Sequence, residues 1–445
     1  MNYIAYTIGP IYDTIFRTLQ GDHKTKRLKA GSYFFSYFMR LFLKHLYKDI
    51  DILVPYVTPD ILNQNHKMGL FHDRFIATSH KSAETIKQIL NNALEMTYKE
   101  LSDEIDGCDI YMLKESMDNH LLIASQDELK ALDENLVFAI NAILDSMELQ
   151  RSFSQQKVKN AISLYQDKAI QSKHRVKTLA QIADEMNYYV VISADGDKMG
   201  DKIKQTSTKD INGIKDVSLA LYEFFTKDED IYTITHDKFG GELIYAGGDD
   251  ILAFLPVKYK DKTFLDYIEL LNNRFKHHLQ DTSMSFGAYV VYHKYPLREA
   301  IENSFGLLKS LKDSSQKEHI SLFVEKHSGQ GISMQMPLAS QRYQLYTQML
   351  SSLIDERDMA LPHSFHHSLS RYQSAIIHIY DTCNQSSLKA LFETIFNDEK
   401  TSSVQNGIDS VCRYIDLVAP KTKEEFEKIF LELAIIKFLR EDRKA

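Results

Sequence analysis

A Gly-Gly-Asp-Asp turn between two short apolar runs occupies residues 243–255, LIYAGGDDILAFL. This pattern predicts two strands joined by a tight turn, because glycine readily adopts the positive backbone angles that such turns require. The turn would display Asp249 and Asp250 side by side, and carboxylate oxygens are hard ligands for a divalent cation. An ordinary hairpin with a polar tip is the alternative, so the rest of the chain must decide between the two.

The composition is that of a folded protein with several domains, since 44% of the 445 residues are hydrophobic and 26% are charged. That length corresponds to roughly two to four domains. No stretch reaches the roughly 18 apolar residues of a membrane span, and the first residues lack the positive charge of a signal peptide, so we expect a cytoplasmic protein without a membrane partner. The net charge of −8 argues against a surface that binds polyanions everywhere, although one basic face could still contact nucleic acid or nucleotide.

The cysteines and the histidine cluster do not form recognisable metal motifs. Cys108, Cys383 and Cys412 are far apart and none belongs to a CxxC pair, which argues against a disulfide framework and a cysteine zinc site. The histidines at 363, 366 and 367 have no carboxylate or cysteine at ligand spacing, so they indicate a solvated loop. We therefore predict a protein without zinc.

Strand and helix patterns alternate from residue 186 to about residue 326. Their order is βαββαβ followed by a further αβ unit, which is the split βαβ, ferredoxin-like plan. The predicted elements are a strand at Tyr188–Ala194, a helix around Ile214–Phe225, the hairpin, a helix at 262–279, a strand at Met284–Tyr292, a helix at Leu297–Leu311 and a strand at Ile320–Val324.

This topology predicts a third carboxylate beside the turn. The first strand of the unit ends in SADGDKMG, residues 193–200. In a ferredoxin-like sheet, with spatial strand order 4-1-3-2, the turn between strands 2 and 3 lies at the same end as the carboxyl terminus of strand 1. Asp195 should therefore meet Asp249 and Asp250, and three carboxylates at one edge repel each other unless cations neutralise them. The sequence thus predicts a metal site.

The residue types around this edge favour Mg²⁺ or Mn²⁺ over zinc, and we expect two ions. Gly196, Gly247 and Gly248 would let a nucleoside triphosphate approach the backbone, and no histidine or cysteine lies nearby. Two such ions could activate a ribose hydroxyl for attack on an α-phosphate and stabilise the departing pyrophosphate. The candidate partners for the phosphate charge are Lys198, Lys202, Lys309 and Lys312.

Asp197 has two interpretations, since it could orient Lys198 or cap the following turn.

The regions on either side of the alternating segment have other patterns. Residues 82–185 are predicted to be helical, with a capping box at Ser125 and Glu128, and residues from 331 onward are also predicted to be helical. The last helix has a wide apolar face over 424–440, which indicates burial against the rest of the chain or against a partner subunit.

Several of these motifs together resemble the large, polymerase-like subunit of type III CRISPR effector complexes, specifically its Cmr (III-B) branch. They are SADGDKMG, YAGGDDILAFLP, MSFGAYVVYHKYPLREAI and VEKHSGQ in the middle region, together with IGPIYDTIFRTLQGDHKTKRLKAGSYFFSYF and GLFHDRFIA near the start. The resemblance covers roughly residues 4–80 and 186–330. It implies an α+β chain with a degenerate palm-like domain at 1–81, a helical insert at 82–185, a catalytic GGDD palm domain at 186–330, and a helical C-terminal domain at 331–445.

The resemblance also implies a function. Nucleotides would bind between the two palms, and target RNA bound through guide RNA would switch on conversion of ATP to an adenylate second messenger. In most such proteins the product is a cyclic oligoadenylate, and in some AMP is joined to S-adenosylmethionine. Asp195, Asp249 and Asp250 match the metal-binding positions, while Gly247 and Gly248 match the nucleotide-cradling turn. The implied partners are the other protein subunits of a Cmr-type complex with its guide and target RNA.

The sequence departs from this family in two respects, and two rival functions are also considered. Many relatives begin with an HD nuclease domain, and the His72-Asp73 and His236-Asp237 pairs lack the separated ligands that such a domain needs, so we expect no HD-type DNase activity. Relatives often carry a four-cysteine zinc motif that this cysteine spacing excludes. A diguanylate cyclase-like enzyme is disfavoured because Ile251-Leu252 follows the turn where that signature has Glu-Phe. A scaffold without catalysis would have no use for three aspartates.

Overall fold

The computed structural model describes most of the chain. The described residues are 1–8, 23–64, 66–104, 120–149, 165–166, 176–208, 210–326, 329, 331–355, 359–362, 364–382, 385–399 and 401–441. Cys108, Cys383, His363 and the side chain of His366 lie outside them. Cys412 is buried, and this burial raises the pKa of its thiol to about 12, as expected of a structural cysteine.

The first part of the chain forms a four-stranded antiparallel sheet. Its strand order is β2-β3-β1-β4, which is the predicted ferredoxin-like order 4-1-3-2 read in the opposite direction. The elements are β1 (Asn2–Thr7), α1 (Lys24–Leu46), β2 (Asp51–Val54), α2 (Pro59–Asn63), β3 (Arg74–Ser79), α3 (Ala83–Glu104) and β4 (Leu121–Ser125).

Strand β4 shows that the predicted boundary at residue 81 is wrong, because this strand pairs with β1 and belongs to the first sheet. Its five residues run directly into the next helix, so they are too few to produce a clear alternating pattern. The predicted capping box is confirmed. The Ser125 hydroxyl accepts a hydrogen bond from the backbone N–H of Glu128 at 3.4 Å, and the Glu128 carboxylate accepts one from the backbone N–H of Ser125 at 2.7 Å.

Three helices connect the two sheets within the described residues. They are α4 (Gln126–Lys130), α5 (Leu136–Leu149) and α6 (Leu179–Ala183). Helix α5 packs against β1 and thereby covers the first sheet. We call the first sheet with its packed helices the first palm, and the sheet that follows along the chain, with its helices, the second palm. Part of the predicted helical insert therefore belongs to the first palm.

The second part of the chain forms a six-stranded sheet with the order β12-β11-β10-β5-β7-β6. Within it, β10-β5-β7-β6 is the predicted order 4-1-3-2, and β10 and β11 are parallel. The elements are β5 (Tyr188–Asp197), α7 (Met199–Ser207), α8 (Gly213–Thr226), α9 (Ile231–Thr233), β6 (Glu242–Gly247), β7 (Asp250–Pro256), the small pair β8 (Lys258–Tyr259) and β9 (Lys262–Thr263), α10 (Phe264–His278), β10 (Ser283–Tyr292), α11 (Leu297–Asp313), β11 (His319–Glu325) and β12 (Gly331–Pro337).

Strand β12 corrects the second predicted boundary, at residue 330. It pairs antiparallel with β11, and its buried side chains alternate with exposed ones as in a half-buried strand. Two of the three buried side chains are methionines, Met334 and Met336. Methionine is a good helix former, so the sequence of this segment does not exclude a helix, and pairing with β11 decides its conformation.

The two palms pack directly against each other. Tyr3, Leu53 and Ile76 of the first palm share an apolar cluster with Ile211 and Ile214 of the second. Helix α1 also lies against β6, and α8 lies against β2. The first palm is therefore docked on the second.

Two ion pairs also join the palms. The Lys29 ammonium lies 2.8 Å from the carboxylate of Glu242, which is fully buried on β6. Lys215 on α8 forms an exposed ion pair with Asp51 on β2 at 2.7 Å. The buried pair should contribute most to docking, since exposed ion pairs are screened by water.

The C-terminal region adds five helices to the described chain, which are α12 (Gln341–Asp355), α13 (Phe365–Thr382), α14 (Gln385–Ile395), α15 (Ser402–Val418) and α16 (Lys423–Glu441). The apolar face predicted for the last helix is buried against the rest of the chain, including Phe426, Ile429 and Leu433. Its Phe438 ring packs edge-on against Tyr188 of β5, with ring centroids 5.1 Å apart. No helix among the described residues is long and apolar enough to cross a membrane.

Helix α11 approaches the second sheet closely at a glycine. A Cβ atom placed on Gly287 of β10 would lie 2.3 Å from the carbonyl oxygen of Ser304 and 2.8 Å from the backbone nitrogen of Leu308. The Ser304 hydroxyl lies 2.9 Å from the hydroxyl of Ser193 and 3.0 Å from the carbonyl oxygen of Gly287. This contact sets the position of the far end of α11, which carries Lys312.

Replacing Gly287 with valine should destabilise the protein by about 3 kcal/mol, because α11 would have to move away from the sheet. The measurement is the free energy of unfolding in urea. Gly306→Ala is the matched control in the same helix, since no atom lies within 4 Å of its added Cβ. That variant should gain roughly 0.5–1 kcal/mol from helix propensity. A Gly287→Val protein as stable as wild type would contradict the described packing of α11.

Candidate active site

The end of β5 and the turn between β6 and β7 lie side by side. Ala194 of β5 pairs with Ile251 of β7, which places Asp195 next to Asp250 in the register. Gly247 and Asp250 close the hairpin, leaving Gly248 and Asp249 as its two turn residues. The structure therefore brings Asp195, Asp249 and Asp250 together, although more than fifty residues of sequence separate the first from the others.

The glycines of the site make these close approaches possible. Gly248 has a φ of +66° at the first turn position, where glycine is favoured in type II′ hairpins. A Cβ on Gly196 would lie 2.8 Å from the Asp249 Cβ and 2.9 Å from its Oδ2. The backbone N–H of Gly196 also donates a hydrogen bond to the Asp249 carboxylate. At Gly247, an added Cβ would lie 2.8 Å from the Tyr245 hydroxyl, so a larger residue there would require the Tyr245 side chain to shift.

The carboxyl groups strongly influence one another's protonation. Burial, followed by the charge of Asp195, raises the pKa of Asp249 from its usual 3.8 to about 7. Burial and the charges of Asp249 and Asp195 raise the pKa of Asp250 well above the same value, and a hydrogen bond to Asp195 adds to the effect. Without a cation, the group therefore holds protons at neutral pH to limit its own repulsion.

Lys312 supplies positive charge to this group from the end of α11. Its ammonium lies 2.5 Å from Oδ1 of Asp195. Burial alone would lower the pKa of Lys312, but the hydrogen bond and charge of Asp195 raise it. Lys312 is thus a counter-ion for the carboxylates within the protein, and 43% of its side-chain surface is exposed to solvent.

The other lysines considered from the sequence lie in different environments. Lys309 is exposed one turn earlier on α11, and Lys198 is exposed at a residue with a φ of 60°. Lys202 donates a hydrogen bond to the carbonyl oxygen of Gln280 at 2.9 Å. Of these four lysines, the ion pair to the carboxylate group belongs to Lys312.

The Asp197 side chain is hydrogen-bonded inside the sheet. Its buried carboxylate accepts hydrogen bonds from the hydroxyls of Ser283 and Ser285 at 2.8 and 2.9 Å, and from the backbone N–H of Glu318 at 2.8 Å. These bonds tie β5 to β10 and to the start of β11. They account for the residue better than either reading from the sequence, since its oxygen atoms are used inside the sheet.

His72 is a residue near this site that sequence reasoning missed. It belongs to the first palm, two residues before β3, and an added Cβ on Gly248 would lie 2.7 Å from its Cε1. Burial lowers the pKa of its imidazole to about 4, so the ring is neutral at physiological pH. Only the docking of the two palms brings it to the turn, so no spacing in the sequence could have indicated it.

The donor chemistry of the site suits a hard divalent cation, because Mg²⁺ and Mn²⁺ prefer carboxylate oxygens. As arranged, however, no three His, Cys, Asp or Glu side chains in the described part of the chain form a set that could hold a metal ion. In this arrangement Lys312 is paired with Asp195, and a hydrogen bond joins Asp195 to Asp250. Binding of a cation would require Lys312 to move and the carboxyl groups to lose their protons.

Comparison with known proteins identifies the sheet that carries this site. Residues 188–321 match the family described as Cas10/Cmr2, second palm domain. A curated relative, the CRISPR system Cmr subunit Cmr2 of Pyrococcus furiosus, is 29% identical over 179 residues. That alignment covers 34% of this chain and 20% of the relative, so the chain matches only a fifth of that protein's length.

The fold is similar to that of solved structures over most of the chain. A Csm1-Csm4 cassette in complex with cA4 contains a chain with a TM-score of 0.53 and 13% identity, covering 94% of this chain and 70% of that one. The apo state of a type III-B Cmr-beta complex contains a chain with a TM-score of 0.54 and 10% identity, covering 89% of this chain and 77% of that one. Residues 188–321 therefore match the second palm domain of Cas10/Cmr2, and the fold of the chain is similar to the folds of these Csm1-Csm4 and Cmr-beta structures.

Proposed function

We propose that this chain is a metal-dependent nucleotidyltransferase that uses ATP and releases pyrophosphate. The observation that carries the proposal is the convergence of Asp195, Asp249 and Asp250 at the end of the palm sheet, with the ammonium of Lys312 beside them. Buried carboxylates that raise one another's pKa are costly to fold, and such clusters are typical of functional sites. A scaffold would gain nothing from this cost.

The residues of the site have separate roles in this reaction. The Gly247–Gly248 turn would admit the triphosphate close to the backbone, and Lys312 would leave Asp195 to pair with phosphate oxygens. Asp195, Asp249 and Asp250 would hold the divalent cation, which neutralises charge on the transferred and departing phosphates when bound. A hydroxyl oxygen then bonds to the α-phosphorus and loses its proton to solvent, while the bond from that phosphorus to the oxygen bridging to the β-phosphate breaks and pyrophosphate departs.

We further propose that the product is a cyclic oligoadenylate made in type III CRISPR antiviral defence, with other Cmr-type subunits, guide RNA and target RNA as partners. Support comes from the structures with similar folds, which include Csm1-Csm4 cassettes in complex with cA4, pppApA and AMPPNP, and a Cmr-beta complex bound to cognate target RNA. None of the contacts described above favours S-adenosylmethionine as the acceptor, so ATP is proposed for both roles.

Replacing Asp249 and Asp250 together with alanine should reduce pyrophosphate release from ATP to background, because the cation would lose two of its three carboxylates. The assay uses the chain assembled with its partner subunits, guide RNA, target RNA and Mg²⁺ or Mn²⁺, and its products are identified by mass. Undiminished release would contradict the proposal. No release from the wild-type complex, despite normal target binding, would favour a scaffold, and preference for GTP would favour a diguanylate cyclase-like enzyme.

Lys312→Met should weaken the apparent affinity for ATP by roughly 10- to 100-fold, since a charge-assisted hydrogen bond contributes about 1.5–3 kcal/mol. The measurement is the KM for ATP in pyrophosphate release. Lys309→Met is the matched control, one turn away on the same helix and exposed, and its KM should stay at the wild-type value. Equal effects of the two substitutions would show that general surface charge, and not Lys312 itself, attracts ATP.

Asp249→Asn should stabilise the metal-free protein at pH 8 but not at pH 4. Folding raises the pKa of Asp249 from 3.8 to about 7, so the folded state binds this proton more tightly than the unfolded state does. The resulting stabilisation is complete only below pH 3.8, and it is lost as the pH rises towards 7. Removing the charge should then raise the unfolding free energy at pH 8 by on the order of 2 kcal/mol, measured in urea with EDTA present.

The control for that experiment is Asp197→Asn, which should destabilise the protein. An amide in place of the buried Asp197 carboxylate presents an NH₂ group to donors that now bond to oxygen. Stabilisation of both variants to the same degree would show a general effect of net charge and contradict the described carboxylate repulsion.

A further inference from the structure

His72 of the first palm lies against the turn that carries Asp249. A Cβ placed on Gly248 would be 2.7 Å from Cε1 and 3.0 Å from Nδ1 of His72, so there is no space for a side chain between the ring and the turn. The two ring atoms closest to that position, Cε1 and Nδ1, belong to the same edge of the imidazole. This edge therefore faces the turn at Gly248.

The other turn residue is also closely packed. An added Cβ on Gly196 would lie 2.8 Å from the Cβ of Asp249 and 2.9 Å from its Oδ2. The turn thus contacts β5 at Gly196 and the first palm at His72. Both contacts restrict how far Asp249 and Asp250 can move from Asp195.

His72 is itself held firmly by the first palm. The next carbonyl, that of Asp73, accepts a hydrogen bond from the backbone N–H of Ile8 at 2.9 Å. The guanidinium of Arg74 then bonds to Glu148 at 3.0 Å and to Asp145 at 2.7 Å on α5. These bonds tie the backbone next to His72 to the first palm, and the Lys29–Glu242 pair joins that palm to the second.

We propose that His72 is a positioning residue that presses the Gly-Gly-Asp-Asp turn against β5, so that the carboxylates bind a divalent cation more tightly when the first palm is docked. The proposal rests on the metal-binding role of Asp195, Asp249 and Asp250 proposed above. It gives the first palm a part in cation binding although the palm contributes no ligand. A shift of the palms relative to each other would then change the affinity for the cation.

The test is the affinity of the full chain for Mn²⁺, measured from the electron paramagnetic resonance signal of free Mn²⁺. His72→Ala should weaken Mn²⁺ binding by about tenfold, as is typical when a residue that orients metal ligands is removed. His72→Leu, which retains a side chain of similar volume without ring nitrogens, should retain most of the wild-type affinity. His80→Ala, at the exposed far end of β3, should bind Mn²⁺ as the wild type does.

Each result supports or overturns the proposal. Unfolding in EDTA is measured in parallel, and a His72→Ala chain that keeps its fold but loses Mn²⁺ affinity supports positioning. Wild-type affinity in His72→Ala would overturn it, as would a loss in a folded His72→Leu equal to that in His72→Ala, because the nitrogens would then be the important atoms. If the wild-type chain binds no Mn²⁺, the proposed function fails too. If Mn²⁺ binds and His72→Ala binds it equally, only the role of His72 fails.

Discussion

The mutual repulsion of three carboxyl groups at the end of one sheet is the constraint on which the rest of the second palm depends. Asp249 and Asp250 hold protons more tightly than exposed aspartates do, because burial and the neighbouring charges oppose their ionisation. The fold offsets this cost with surrounding contacts. Gly196 lets Asp249 approach β5, and the Ser193–Ser304 contact at Gly287 sets α11 so that Lys312 reaches Asp195.

The first palm has the same strand order, but different side chains lie at the corresponding end of its sheet. In its sheet Thr7 pairs with Arg74 at the end of β1, the place that corresponds to Asp195 beside Asp250 in the second sheet. Arg74 there pairs with Asp145 and Glu148, and the Thr7 hydroxyl also bonds to Glu148. A fixed arginine therefore neutralises the carboxylates of the first palm. The second palm has a lysine in the comparable role, and its long flexible stem allows it to leave.

The sequence predicted the second sheet well because its strands are long and fully buried. The β5 and β10 segments contain nearly continuous apolar runs, and the Gly-Gly-Asp-Asp turn marks its hairpin clearly. Prediction was wrong where strands are short or ambiguous. Strand β4 passes directly into a capped helix, and β12 contains methionines that suit a helix, so both domain boundaries at the sheets were misplaced. The strand order could still be predicted, because it follows from general rules on how consecutive strands and helices are connected.

The sequence alone determined the order 4-1-3-2 and, with it, the meeting of Asp195 with Asp249 and Asp250, since strand direction decides which chain ends share a sheet edge. Only the tertiary structure decided which of four lysines serves the carboxylates, because that depends on how closely α11 approaches the sheet at Gly287. It likewise decided that Asp197 belongs to the sheet, through hydroxyls from β10. His72 depends on tertiary structure most of all, because its contact with Gly248 forms between two separately folded sheets and no local pattern encodes such a meeting.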